Sequence, residues 1–159
     1  MPVRMSAGIA LLRATTARAG DDGVEILIGH LGGPFWAAKD AGAWSVPKGA
    51  VEDDEAPLDA AYREFLEETG MAVPPAPAVE LGSVRTSGKT VHLWAVWADL
   101  DLDGFAPGTF ELSWPPRSGR TITVPELDRV RWATLPDATT LLVQGQRPFL
   151  PRIAALPRR

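Results

Sequence analysis

Glu64, Glu67 and Glu68 fall in one short stretch directly after Arg63. Residues three and four apart share a helix face, so a helix here would gather all three carboxylates on one side. Carboxylates packed together repel one another unless a cation sits between them. Oxygen donors without His or Cys select a hard ion, which predicts Mg²⁺ or Mn²⁺ rather than Zn²⁺. Such an ion bridges substrate phosphates, neutralises charge developing at phosphorus and activates a water. Taken alone, Arg-Glu-x-x-Glu-Glu suits a solvated helix face better than a metal site. The residues around it decide between the two.

From Gly49 to Met71 the chain reads G-x5-E-x7-R-E-U-x-E-E-x-G-U, with Phe65 and Met71 at the bulky apolar positions U. Seven fixed residues at ~7% frequency each, with two apolar filters, coincide by chance at roughly one in a billion starting points. The pattern resembles the signature of the Nudix family, hydrolases of nucleoside diphosphates linked to another moiety, and no fixed position departs from it. With Gly49, Glu55 and Gly70 at the required offsets, the metal-site reading displaces the solvated face. The resemblance implies an α/β fold, an α/β/α sandwich around a mixed β-sheet. It implies that the Gly49 carbonyl joins Glu64, Glu67 and Glu68 as a metal ligand. It further implies that Arg63 and Glu55 form an ion pair orienting the cluster, a supporting role of the kind that tunes metal sites. A later loop should add one more carboxylate. Glu126, in Pro125-Glu-Leu-Asp-Arg-Val-Arg-Trp132, resembles the Glu that precedes a family strand and is favoured; Glu111, in Thr109-Phe-Glu-Leu-Ser-Trp114, is its rival. The general base stays open among Glu64, Glu67 and this pair.

On the substrate side, Lys48 puts a cation beside the proposed site and can meet a phosphate as a point charge. Trp44-Ser-Val-Pro-Lys-Gly49 resembles the W-x-x-P-K-G segment of dinucleoside polyphosphate hydrolases and diphosphoinositol polyphosphate phosphohydrolases. Phe35, Trp36, Lys39, Arg85, Lys89, Trp114, Arg117 and Arg120 supply aromatic and basic groups in loops. A nucleobase packs well on an aromatic face and arginines grip polyphosphate, which makes Trp36 and Arg117 substrate candidates. His92, on an apolar strand, reads as structural. Ser6-Ala-Gly-Ile, Gly33-Pro-Phe-Trp36, Thr109-Phe-Glu111, Trp114-Pro-Pro-Arg-Ser-Gly119 and Gly145-Gln-Arg-Pro-Phe-Leu150 are similar to a bacterial Nudix subgroup described as predicted NTP pyrophosphohydrolases. The expected substrate is a small phosphoanhydride, such as a nucleoside triphosphate or a dinucleoside polyphosphate. Rival readings are an inositol pyrophosphate phosphohydrolase and a non-catalytic Nudix ligand-sensing module, although such modules usually have degraded signatures. The related isopentenyl diphosphate isomerases rely on a catalytic cysteine, and this chain has none.

These side chains need a scaffold, and 159 residues suffice for one domain over 1–159 with a single sizeable core. Absence of cysteine excludes disulfides, thiolate metal sites and a catalytic thiol. A net charge of −4 argues against a general binder of duplex nucleic acid, so only a local positive patch could hold an anion. No run approaches the ~20 apolar residues of a membrane span, and the first residues lack a signal-peptide core. A cytoplasmic protein is the expectation.

Ser6 to Ala14 and Val24 to Ile28 predict a hairpin turning at residues 19–23. Residues 30–43 predict a long Gly-rich loop, a kind that is often functional, and Trp44 to Gly49 a short extended piece. Pro57 to Thr69 predicts a helix, with proline in its first turn, Gly70 after its end, and a buried stripe of Leu58, Ala61, Tyr62, Phe65 and Leu66. The three glutamates would then lie opposite that stripe. Three prolines make Val73 to Ala78 a loop. Leu81 to Arg85 and Thr90 to Leu100 predict a second hairpin turning at Ser87-Gly88-Lys89. Asp103 to Gly119 reads as irregular, Thr121 to Val124 and Arg129 to Ala133 as short strands. A helix should start near Pro136-Asp137 and another cover Phe149 to Leu156.

Overall fold

The structure, a computed structural model, describes residues 4–16 and 23–157. Strands β1 (Arg4–Ala14) and β2 (Val24–Leu31) pair antiparallel as the apolar runs predict; most of the expected turn lies outside the described residues. Successive side chains of a strand point to opposite faces, and β1 uses both. Ala7, Ile9 and Leu11 join one buried cluster, whereas Ala10 and Leu12 join the other. The short strands β3 (Trp44–Ser45) and β4 (Lys48–Ala50) pair with β2 and β1. Strands β5 (Ala78–Thr86) and β6 (Lys89–Trp97) form the second hairpin, with Gly88 at φ 79° in its turn. β6 lies parallel to β1, while the other pairs of this sheet are antiparallel, so the sheet is mixed.

Helix α1 (Pro57–Thr69) packs Ala60, Ala61 and Phe65 on the Ala7–Ile9–Leu11 face. Helices α2 (Leu135–Leu141) and α3 (Phe149–Ala154) pack Ala138, Leu141, Phe149 and Ile153 on the other. That is the expected α/β/α sandwich. α1 ends where Gly70 adopts φ 72° and donates its N–H to the Leu66 carbonyl. Phe65 is fully buried, and truncating such a ring to alanine costs about 3–5 kcal/mol. Leu66 departs from the expected stripe, being 50% exposed. One residue past Phe65 it has rotated about 100° off the core, and Thr69 takes the buried place, its hydroxyl donating to the Phe65 carbonyl at 2.6 Å.

A second departure lies in the region expected to be irregular. Thr109–Ser113 forms strand β7, which pairs with β8 (Thr121–Pro125) in a ribbon separate from the main sheet. The register sets Phe110 against Val124 and Leu112 against Ile122, giving one apolar face, with Glu111 and Thr123 paired on the other. Alternation over five residues between proline- and glycine-rich segments is too short to stand out in sequence. β9 (Leu127–Thr134) then pairs with β2. His92 bonds Glu80 at 3.0 Å and stacks on Trp94 at 4.3 Å, a structural place. Among the described residues, no helix is long and apolar enough to cross a membrane.

Candidate active site

The site forms where β4 meets α1. Gly49 pairs with Ala7 through its backbone, and a Cβ at residue 49 would collide with the Glu64 carboxyl group. Glycine leaves the room that the Glu64 carboxyl occupies against the strand, and a side chain there would displace it. Arg63 organises the acids around it. Its Nε donates to Glu55 Oε2 at 2.8 Å and its Nη2 to Glu55 Oε1 at 2.9 Å, a two-pronged pair. Nη1 donates to Glu64 at 2.8 Å and Glu67 at 3.2 Å, while Nη2 also reaches the Ala50 carbonyl at 3.0 Å. Arg63, through its hydrogen bonds, holds the Glu55 carboxyl at about 2, well below the usual carboxylate range, and the Glu52 N–H helps. The Arg63 guanidinium is correspondingly raised, first by Glu55.

Glu68 lies deeper. It accepts the Lys48 backbone N–H at 3.1 Å, yet burial pushes its carboxyl up to about 8. The Lys48 charge opposes that shift, and the nearby charges of Glu126 and Glu64 add to it. Burial also raises Glu64, against the pull of Arg63 and with help from Glu67 and Glu126. Contrary to a simple division between wet and buried faces, Glu64 and Glu68 are thus half-buried beside the core, and Glu67 is the exposed member. The last turn of α1 carries no basic residue to offset them.

Glu126 sits between β8 and β9, its N–H donating to the Gly108 carbonyl at 2.8 Å and its carbonyl accepting from Gly32 at 3.2 Å. Its charge is felt by both Glu64 and Glu68. Glu111 is exposed on the ribbon, where its carboxylate accepts the Thr123 hydroxyl at 2.6 Å. The chain leading into β7 is stitched to the end of α1, Gly108 N–H to the Glu67 carbonyl and Ala106 N–H to the Thr69 carbonyl.

All of these donors are oxygens, the set a hard divalent ion prefers. Half-buried carboxylates, raised first by burial and further by one another's charge, fit a place meant for a cation. As the side chains stand, no three acidic or histidine groups among the described residues converge as a ready-made cage. The hydrogen bonds show why: Arg63 holds Glu64 and Glu67, and Glu68 turns to the Lys48 amide.

The remaining substrate candidates lie apart from this cluster. Trp36 is half-buried against the α2/α3 core, edge-on to Phe35 at 4.9 Å, with the Lys39 ammonium 3.5 Å from the Phe35 ring centre. Arg117 is exposed in the turn of the β7–β8 ribbon at φ 61°. Lys48 alone adjoins the carboxylates, through its amide.

No motif in the sequence singles out His30. It is fully buried on β2, with Nδ1 2.9 Å from the Asp128 carboxylate and Nε2 2.6 Å from the Lys39 carbonyl. β2 pairs His30 with Arg129 and Leu31 with Leu127, leaving Asp128 as an extra residue in β9. Such a bulge re-aims the neighbouring chain, here two residues after Glu126. The run Val24-Glu-Ile-Leu-Ile-Gly-His30 marks a core strand, but nothing local reveals a partner 98 residues away.

A mixed sheet between helices, with helix-borne carboxylates folded onto a strand glycine, defines a Nudix-type domain. Residues 21–153 match the NUDIX domain family model, and the chain belongs to the Nudix family. An RNA pyrophosphohydrolase of Halorhodospira halophila is 42% identical over 64 residues, 39% of this chain and 34% of that protein. The curated relatives are matched over 16% to 34% of their own length. Among solved structures, a Caenorhabditis elegans Ap4A hydrolase in a binary complex superposes with a TM-score of 0.61 at 20% identity, covering 96% of each chain. A MutT protein from Methanosarcina mazei gives 0.56 at 21% identity, covering 95% of this chain and 92% of its own. At such identities these structures speak for the fold.

Proposed function

We propose that this chain is a metal-dependent pyrophosphohydrolase of the cytoplasm, cleaving a phosphoanhydride bond in a nucleoside diphosphate linked to a further group. A nucleoside triphosphate and a dinucleoside polyphosphate are the leading substrates. The relatives named as RNA pyrophosphohydrolases and the Ap4A hydrolase fold neighbour support that class of chemistry. The observation that carries the reading is geometric: Glu64 lies against Gly49, Arg63 gathers Glu55, Glu64 and Glu67, and the half-buried Glu68 accepts the Lys48 amide beside them. A fold that keeps so unfavourable a cluster needs it for something other than packing.

Glu64, Glu67, Glu68 and the Gly49 carbonyl would hold Mg²⁺ or Mn²⁺, with Glu126 completing the set. When bound, the metal offsets charge on the phosphates and activates water. The chain's own residues do the rest. The two-pronged Arg63–Glu55 pair fixes α1 against the residues after β4, keeping the carboxylates in register with Gly49. Lys48 meets an incoming phosphate beside Glu68. A carboxylate of this set takes the proton from the attacking water, and the anhydride bond to the leaving phosphate breaks as oxygen adds to phosphorus. Phosphoryl transfer of this kind is governed mainly by positioning and charge. The test is hydrolysis of a nucleotide panel with Mg²⁺ or Mn²⁺, with and without chelator, by the parent and Glu67→Gln. Metal-dependent turnover that falls sharply in the folded variant is expected; full activity in Glu67→Gln, or turnover indifferent to chelator, rejects the assignment.

A further inference from the structure

The last carbonyls of a helix have no partner within it and must find one elsewhere. At the end of α1, two of them are taken by the chain that enters β7. Ala106 N–H donates to the Thr69 carbonyl at 2.8 Å, and Gly108 N–H to the Glu67 carbonyl at 2.9 Å. The Gly108 carbonyl accepts the Glu126 N–H at 2.8 Å, and the Glu126 carbonyl accepts the Gly32 N–H at 3.2 Å. Three backbone hydrogen bonds thus run in series from the glutamate-bearing turn of α1, through Gly108 and Glu126, to the chain just after β2. Thr109 pairs with Pro125, so the bond between Gly108 and Glu126 extends the ribbon ladder by one step.

Close approach explains both glycines of the series. A Cβ at residue 108 would lie 2.7 Å from the Glu67 carbonyl oxygen, and a backbone oxygen cannot swing aside as a flexible side chain can. A Cβ at residue 32 would run into the Pro125 carbonyl, one residue before Glu126. Glu126 itself is exposed, yet its charge acts on Glu64 and Glu68. Packing does not confine such a side chain, so the backbone that carries it decides where it points. A group that must meet partners on another element needs support of this kind.

We propose that Gly108 is a positioning residue for the reaction, fixing Glu126 relative to Glu67 by bonding both main chains, with Gly32 steadying Glu126 from its other side. The assignment rests on the pyrophosphohydrolase reading, in which Glu126 completes the metal set. It explains how a carboxylate from a distant part of the chain returns to the same place beside α1. Gly108 touches neither metal nor substrate and acts through Glu126.

Two measurements test it. Mn²⁺ is titrated into the parent, Gly108→Ala, Glu126→Gln and the double variant, with free ion read by electron paramagnetic resonance, which needs no turnover. Gly108→Ala should bind Mn²⁺ about tenfold more weakly, the low end of what lost support costs a metal site. Added to Glu126→Gln, it should cost less than about twofold more, because residues that act through one another are not additive. kcat should follow the same pattern while KM stays near parental. A merely structural role would instead give independent losses that multiply. Hydrogen exchange on the parent reads the bonds without any substitution. The Gly108 and Glu126 amides should exchange at least about 100-fold more slowly than in an unfolded chain. Parental Mn²⁺ affinity in folded Gly108→Ala, multiplying losses in the double variant, or amides exchanging at the unfolded rate each overturn the positioning role. If Glu126→Gln keeps parental Mn²⁺ affinity and turnover, Glu126 lies outside the metal set and Gly108 has nothing to position. A parent that hydrolyses no nucleotide defeats the pyrophosphohydrolase reading, and the titration with the exchange rates then decides the place of Gly108.

Discussion

The Glu64 carboxyl group occupies the space that a side chain in place of Gly49 would need. Strand and helix are thereby matched atom against atom at the candidate site. Gly49→Ala must push Glu64 outward or spread β4 from α1. Turnover and Mg²⁺ affinity should each fall by roughly 10- to 100-fold, the usual consequence of disturbing the support of a metal site. Steady-state kinetics and a metal titration measure this, and parental values in Gly49→Ala contradict the packing described.

Arg63 spans Glu55, Glu64 and Glu67 with a planar fork. Lysine keeps the charge but cannot make the two-pronged pair. Arg63→Lys should therefore lower kcat by about 10-fold or more while far-ultraviolet circular dichroism stays parental. Equal kcat in the two proteins would show that charge alone suffices.

Glu55 provides a pH test of the same pair. Its carboxyl sits at about 2 in the folded protein against an ordinary 4.5. A depressed folded value stabilises the fold above the unfolded value, and the contribution disappears as pH falls through the folded one. The stability difference between the parent and Glu55→Gln should thus be full at pH 7 and shrink between about pH 4.5 and pH 2. Denaturant melts across that range check it; a difference that stays flat there removes the ion pair from the account.

Glu126 and Glu111 can be separated directly. Of the two, Glu126 is the one whose charge acts on Glu64 and Glu68, so Glu126→Gln should reduce activity at least about tenfold, a modest loss for a group that holds a metal or moves a proton. Glu111→Gln removes one exposed contact to Thr123 and should stay near the parental rate. The reverse ranking would exchange their roles.

His30→Ala leaves the Asp128 carboxylate and the Lys39 carbonyl without the partner they share. Asp128 keeps its 3.3 Å contact to Arg129, so the Lys39 carbonyl is the group left unsatisfied, at a cost of about 1–3 kcal/mol, on top of the cavity left by a buried ring. A drop in Tm of several degrees is expected, together with weaker activity as the bulge next to Glu126 relaxes. Calorimetry and kinetics on the same sample give both, and an unchanged Tm would mean that the clamp carries no weight.

Local rules exposed much of this molecule. Pro57 and Gly70 bracket α1 because proline at a helix start and glycine beyond its end are backbone requirements, independent of the rest of the fold. Gly49 and Glu64 could be paired because their spacing belongs to a pattern. What stayed hidden depends on distant partners. His30 meets Asp128 only after β9 has docked on β2, and Leu66 differs from Phe65 by one step of rotation that Thr69 settles. β7 needs β8 before its short alternation means anything. The partly buried state of Glu64 and Glu68 likewise comes from packing around them, which spacing along a helix cannot convey.

α1 ends with Glu67 and Glu68 in its last turn and no basic residue there. The end of a helix dipole carries partial negative charge, so these side chains oppose the helix that bears them. Selection for heat resistance alone would therefore favour a neutral residue such as Gln at these positions, since Lys would face Arg63 or Lys48. Any thermostability screen run without an activity filter should recover such replacements first and return sturdier proteins that have lost their chemistry. Conversely, a stabilised variant that retains both glutamates must have gained its stability elsewhere, and the β7–β8 ribbon, with Phe110 and Ile122 each 37% exposed, offers room for it.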